Sequence, residues 1–236
     1  MSLFQPFDLP EGIMLLISDE LGAPGDFLLH RALASHLKDR KKTTAIVLSV
    51  AESLSRWKAL AFKSNINLQH HLDDGSLEFV DVVDGTAELE LRSVVDRVKT
   101  FLAASEDRQT LVILDDVSML EWTAQCSPVS LHRFLRAMRS VTQKANATLV
   151  VLHHIVTPDE PDDLFRQLLQ ISTYHIQVKA LLSGRSGAVS GEVSLHAGFS
   201  APADTVKLVP RSMAMQYKLS DVGPEFFSKG TSGGVL

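Results

Sequence analysis

The chain has 236 residues, of which 45% are hydrophobic and 22% charged, with a formal net charge of −5; this is an ordinary soluble composition, long enough for one large core, and its charge argues against indiscriminate binding to nucleic acid. One cysteine, Cys126, excludes an internal disulfide and a multi-cysteine zinc site and fits a reducing compartment. The apolar run Ile13 to Ile17 is too short for a signal-peptide core and is broken by Asp19 and Glu20, and no run approaches the ~20 apolar residues of a membrane span, so a soluble protein is expected.

Ile13 to Ser18 reads as the first strand, and Phe27 to Lys38 as an amphipathic helix with Asp26 as its N-cap. The turn between them carries Gly22, Pro24 and Gly25, the layout of a phosphate-binding loop. A working loop of that kind reads GxxxxGK[ST], with glycines that let backbone N–H groups surround phosphates, a Lys that neutralises them and a hydroxyl that holds Mg²⁺. Here Gly25 stands for the second glycine and Glu20 for the first, while Asp26 and Phe27 occupy the lysine and hydroxyl places. The loop is degenerate, and a scaffold role is expected of it.

Thr43 to Ser49 is β-branched and apolar, a strand buried on both faces. Ser53 to Phe62 reads as a short helix, Asp74-Gly75 as a turn and Leu77 to Val83 as a strand. His70, His71, Asp73 and Asp74 bring imidazoles and carboxylates together, but a loop before a strand accounts for them without a metal. Leu89 to Ala103 places Leu91, Val94, Val95, Val98 and Leu102 at helical spacing. Thr110 to Leu114 is a strand ending in Asp115 and Asp116; the next helix, with Ser130 as its cap, has Leu131, Phe134, Leu135, Met138 and Val141 on its apolar side; Thr148 to His153 is the strand after it. From Ile171 the period shortens to two: Tyr174 to Leu181, Gly191 to His196, Met213 to Leu219 and Glu225 to Lys229 read as antiparallel hairpins, and 230–236 as a Gly/Ser tail prone to fray. The fold class is therefore α/β, one domain over 1–236 with a mainly parallel sheet flanked by helices and antiparallel hairpins at the end.

Charge is uneven along the chain. The first 121 residues carry 12 Lys+Arg against 20 Asp+Glu, and the remainder 11 against 8. Between Glu121 and Asp159 no acid occurs, while Arg133, Arg136, Arg139 and Lys144 all do. His132, Arg136, Arg139 and Gln143 fall on one stripe of the helix, which is either a solvated face or a seat for an acidic neighbour or a phosphate backbone.

The order of strand, phosphate-type loop, acid-ended strand, histidine-ended strand and terminal hairpins is that of RecA-like domains. Asp115 and Asp116 stand where such ATPases keep the acid that helps hold Mg²⁺, and His153 or His154 where they keep a nucleotide sensor. The segments IMLLISDELGAPGDF, LVILDDVSML, VLHH and QYKLSDVGPEFFSKGTSGGVL together resemble the sixth-subunit family of the Elongator complex in its fungal form, over nearly the whole chain. That resemblance implies a non-catalytic subunit that alternates with subunits four and five in a RecA-like hetero-hexameric ring, contacts the remaining Elongator subunits and tRNA, and serves modification of the wobble uridine at carbon-5. It implies no cofactor or metal in this chain, ATP only at ring interfaces with partner subunits, and a cytoplasmic and nuclear location. Ser118 to Val129 and Ile155 to Asp163 would be loops facing the pore. Two other readings stay open: a DNA-repair subunit like the recombinase paralogues, distinguished by its partners, and an unconventional ATPase using Asp115 or Asp116, distinguished by whether the lone chain binds Mg-ATP.

Overall fold

The computed structural model describes residues 4 to 229 except 5, 39–41, 84–89, 123–125, 158, 159, 161, 185, 203–205, 221 and 222. Its strands are β1 (Met14–Glu20), β2 (Thr43–Ser49), β3 (Leu77–Asp81), β4 (Gln109–Leu114), β5 (Thr148–Ile155), β6 (Tyr174–Lys179), β7 (Gly191–Ala197), β8 (Met215–Ser220) and β9 (Gly223–Phe227). The helices are α1 (Asp26–His36), α2 (Leu54–Lys63), α3 (Leu68–Asp73), α4 (Leu91–Ala103), α5 (Val117–Trp122), α6 (Pro128–Lys144) and α7 (Asp163–Ile171).

All nine strands join one sheet in the order β3-β2-β4-β5-β1-β6-β7-β8-β9. The first six positions are mutually parallel, and β7, β8 and β9 continue antiparallel from β6. β6 belongs to both blocks, since it runs parallel to β1 with Leu15 opposite Tyr174 and antiparallel to β7 with Ile176 opposite Leu195. The hairpins are thus an extension of the main sheet.

Strand alternation divides the core in two. Leu15, Ile17, Val47, Ile113, Val150 and Ile176 face α1, α2 and the C-terminal strands, where Leu29, Leu33 and Trp57 close the layer. Met14, Leu16, Ile46, Leu48, Val112 and Val151 face the other way, onto α4, α5, α6 and α7. Every one of these strand residues is buried, as a parallel strand covered on both sides requires. The tail at 230–236 lies outside the described residues.

Several boundaries differ from the sequence reading for identifiable reasons. Gly25 is the N-cap of α1, without a side-chain bond, and Asp26 stands inside the first turn. Ser127, not Ser130, caps α6: its hydroxyl accepts the Ser130 N–H and Pro128 opens the helix, where a missing N–H costs nothing. His70, His71 and Asp73 lie on α3 instead of in a loop; His71 is fully buried against Ser76. Of the two expected pore loops, Ser118 to Val129 contains helix, and Ile155 to Asp163 is bounded by β5 and α7. Ser118 sits in α5, and residues 123–125 that follow it are outside the described set. Ile155 ends β5, and Asp162 caps α7 by accepting the Phe165 N–H at 2.6 Å. Helices α3 and α5 have six residues each, too few for a helical period to stand out or for the segment to be helical alone.

Asp162 also bonds His153 Nε2 at 3.1 Å, and His153 Nδ1 meets Ser118 Oγ at 3.0 Å, so one cap ties α7 to β5 and α5. Replacing Asp162 by Ala removes the cap and leaves a buried imidazole nitrogen without its partner. The expected cost is about 1–3 kcal/mol, measured as a drop in unfolding free energy in urea, whereas an exposed neighbour such as Asp163→Ala should cost much less.

Candidate functional site

The C-terminal ends of β1, β4 and β5 meet the N-terminus of α1, in the crevice where open α/β sheets place ligands. The segment from Glu20 to Gly25 turns tightly, with the Ala23 N–H donating to the Glu20 carbonyl at 2.8 Å. Its second glycine sits at a close approach: a Cβ on Gly25 would lie 3.3 Å from both Cβ and Oδ2 of Asp19 and 3.4 Å from Ile17 Cγ2, so those side chains would have to give by a few tenths of an ångström. Gly22 has no such constraint, because a Cβ there would meet only Ala180 at 3.5 Å. The Gly25 N–H, one of the amides that would face a phosphate, donates to Asp19 Oδ2 at 2.5 Å. A carboxylate of the same chain therefore takes the anion's place.

The other oxygen of Asp19 is held by His154 Nδ1 at 2.5 Å, and His154 Nε2 lies 3.6 Å from Asp116 Oδ2. Burial on its own opposes the charged imidazole, but the hydrogen bond and charge of Asp19, with the charges of Asp116 and Asp26, outweigh it and push His154 up to about 9. Burial and the nearby Asp19 charge push Asp26 above the ordinary carboxylate range, only partly countered by His154. Asp19, Asp26 and His154 lie close enough together to ligate a cation. The donor chemistry does not suit it, since His154 is held in its charged form, with Nδ1 against Asp19 and Nε2 towards Asp116, and a charged imidazole has no lone pair to give a cation. Nor do these residues fit a triphosphate with Mg²⁺: no lysine stands at the loop, Asp26 presents negative charge, and Phe27 replaces the hydroxyl. Phe27 instead packs on Tyr217 of β8 with ring centroids 4.8 Å apart.

A family model described as Elongator subunit Iki1 matches residues 9–194, most of the chain. The chain belongs to the Elongator subunit Iki1 family. Among curated relatives, Elongator complex protein 6 of Xenopus laevis is 25% identical over 90% of this chain and 89% of its own length. The proteins of the same name from Danio rerio and Mus musculus are 23% and 22% identical over 98% of this chain and 96% of theirs. The structure of a KaiC-like protein from the archaeon Pyrococcus horikoshii superposes with a TM-score of 0.71 at 8% identity, covering 93% of this chain and 91% of that one. The fold of this Elongator subunit is thus RecA-like.

The acid pair that ends β4 is split between two tasks. Asp115 accepts hydrogen bonds from the Ser49 hydroxyl, from the Val50 N–H at 2.5 Å and from the Trp57 indole N–H at 3.3 Å, a closed network that ties β4 to the start of α2. Asp116 takes a left-handed backbone conformation (φ +87°), caps α5 through the Met119 N–H at 3.1 Å and faces His154. Sequence reasoning named the pair but could not divide it. It also missed Asp19, because an acid one residue past an apolar strand reads as the strand's end.

The basic residues of α6 do not form one stripe. Arg133, Arg136 and Lys144 are exposed, whereas Arg139 is half-buried and donates to Thr173 Oγ1 at 3.3 Å. Burial lowers Arg139, and its position beside β6 makes it a packing residue. A second polar group lies behind the site, where Ser18 Oγ and His175 Nε2 are 2.6 Å apart in the core. Burial, assisted by the positive surroundings of His196 and Arg211, pushes His175 down to about 3, so it is neutral. Ser18 is fully buried, while His175 also lines a cavity of about 320 Å³ with Gln177, His196 and Arg211.

The Asp19–His154 pair has a pH signature. His154 binds its proton more tightly in the folded chain, at about 9, than at its ordinary value of 6.5. Its contribution is therefore complete below pH 6.5 and is lost as pH rises through about 9. His154→Gln should lower stability by roughly 1–3 kcal/mol below pH 6.5, after screening of the part-exposed ring is allowed for. The difference from the parent protein should shrink above pH 9, read from thermal unfolding across that range. A difference that does not change with pH would remove the charged pair.

Proposed function

We propose that this chain is a non-catalytic subunit of Elongator. It alternates with the related subunits four and five in a RecA-like hetero-hexameric ring, and the ring holds tRNA for modification of the wobble uridine at carbon-5. The observation that carries the reading is the Gly25 amide bonded to Asp19: the chain keeps the fold and has filled the phosphate seat with its own carboxylate. Any ATP in the ring belongs to interfaces with partner subunits, to which this chain contributes at most an arginine. Its free Cys126 suits reducing compartments, the cytoplasm and nucleus. Among the described residues no helix is long and apolar enough to cross a membrane.

Two measurements test the role. At about 4 Å, two like unit charges repel by roughly 1–4 kcal/mol between the dielectric limits of water and a protein surface, so Asp26 and Asp19 together should keep the lone chain from binding Mg-ATP. Calorimetry should therefore show no heat of binding, and micromolar affinity would sink the scaffold role of the loop. Native mass spectrometry of the chain mixed with subunits four and five should give a closed hetero-hexamer; a chain that stays monomeric beside them argues against the ring.

The exposed cations of α6 are the proposed RNA or subunit contact. Arg133→Ala with Arg136→Ala should leave folding unchanged, because neither side chain is packed. In the assembled ring the pair should weaken tRNA binding and reduce the slope of log K against log salt by roughly 0.7–0.9 per lost phosphate contact. Unchanged affinity and slope with an intact ring would make α6 a solvated face, and dissociation of the ring would assign these arginines to a neighbouring subunit. Arg139 is not a suitable target, since its loss disturbs Thr173.

A further inference from the structure

A cleft of about 580 Å³ opens between α1, α2 and the adjoining ends of β8 and β9. It lies on the sheet face opposite α6, beside the degenerate loop but outside its hydrogen-bonded cluster. Ala34, Leu60, Leu219 and Pro224 give it an aliphatic lining. Four cations rim it: Arg31 and Lys38 from α1 and its end, Arg56 and Lys63 from α2. Arg31 is committed to the fold, donating to the Pro224 carbonyl at 2.7 Å and lying over the Phe226 ring. Arg56 pairs with Glu52 at 2.6 Å. Lys38 and Lys63 are exposed, and neither forms an ion pair with a described residue. Asp26 is the lining carboxylate, set at the inner end next to Asp19 and His154.

We propose that this cleft is a docking groove for an extended acidic segment of a partner protein, with aliphatic side chains in the lining and carboxylates against Lys38, Lys63 and the rim arginines. The spacing supports an extended chain. On each wall the two cations are seven residues apart, two helical turns or about 10 Å along the axis at about 1.5 Å per residue. A polyproline-II-like extended peptide, rising about 3.1 Å per residue with about three residues per turn, covers that distance in about three residues, so acids at every third position share one face and meet successive cations. A nucleic acid fits less well. The one phenyl ring in the lining, Phe27, is spent on Tyr217 and offers no face for a base, and Asp26 would repel phosphate. The inference does not depend on the ring or on its composition, since the groove is complete in the single chain.

Fluorescence anisotropy on the full chain tests it, with a fluorescein-labelled peptide of repeated Asp-Leu-Val units as probe. The comparators are the Lys-Leu-Val counterpart and a labelled poly-uridine RNA of similar length, and the variant is Lys38→Glu with Lys63→Glu. Both lysines are exposed, and circular dichroism checks that the variant is folded. The acidic peptide should bind the parent chain, lose affinity with added salt, and bind the variant at least about tenfold more weakly, while the lysine peptide shows the opposite preference. No binding of the acidic peptide, equal binding by the folded variant, or RNA binding that the variant abolishes while the peptide is ignored would each overturn the proposal.

Discussion

The hydrogen bond from the Gly25 amide to the Asp19 carboxylate sets the character of the whole nucleotide-type crevice. A loop built to surround an anion needs one, because several amide N–H groups at a helix N-terminus carry partial positive charge that is costly to leave unanswered. In this chain the anion is covalently part of β1 and arrives with the fold. His154 then supplies the positive charge that a loop lysine would have brought, but from the neighbouring strand β5 and directed at Asp19. The result is a carboxylate and an imidazole of opposite charge joined within the crevice, with Asp26 beside them.

The same substitution logic extends to Phe27. Where an ATPase needs a hydroxyl to hold a metal, this chain has a ring that packs on Tyr217, whose own hydroxyl is pushed up by burial and the nearby Asp19 charge. Tyr217 is almost fully buried, and Phe226 and Arg31 stack beyond it. The loop thereby becomes an anchor for the C-terminal strands, and those strands form a wall of the cleft beside it. A single aromatic contact, Phe27 on Tyr217, thus joins the loop to that flank.

Much of this was legible in the chain before the fold was known. The parallel strands were readable because full burial demands uninterrupted runs such as TTAIVLS and TLVVLH. The acid-ended and histidine-ended strands were readable as positions, but not as partners: that Asp115 serves Trp57 and Ser49, while Asp116 serves His154, depends on three strands being side by side. Helices α3, α5 and α7 escaped notice because they are short, and α7 begins inside a Pro- and Asp-rich stretch that reads as loop. Arg139 was misjudged for a related reason. Helical spacing gives the face of α6 but not what stands opposite, and Thr173 at the start of β6 reaches across to make a half-buried contact of what looked like a solvated cation.

The position of β1 has consequences for how the chain comes into being. It precedes the other described strands in the chain, yet it lies mid-sheet, and its neighbours are β5, at 148–155, and β6, at 174–179. Met14 waits for Leu149, and Leu15 for Tyr174, so β1 has no strand to pair with until the chain as far as Leu149 has left the ribosome. Pairings this distant in sequence close slowly and leave an apolar, unpaired strand exposed in the interval. Asp19 and Glu20 at its end are then more than parts of a finished crevice: on a nascent chain they are the charges that interrupt an otherwise sticky segment, and they guard it until its partners arrive.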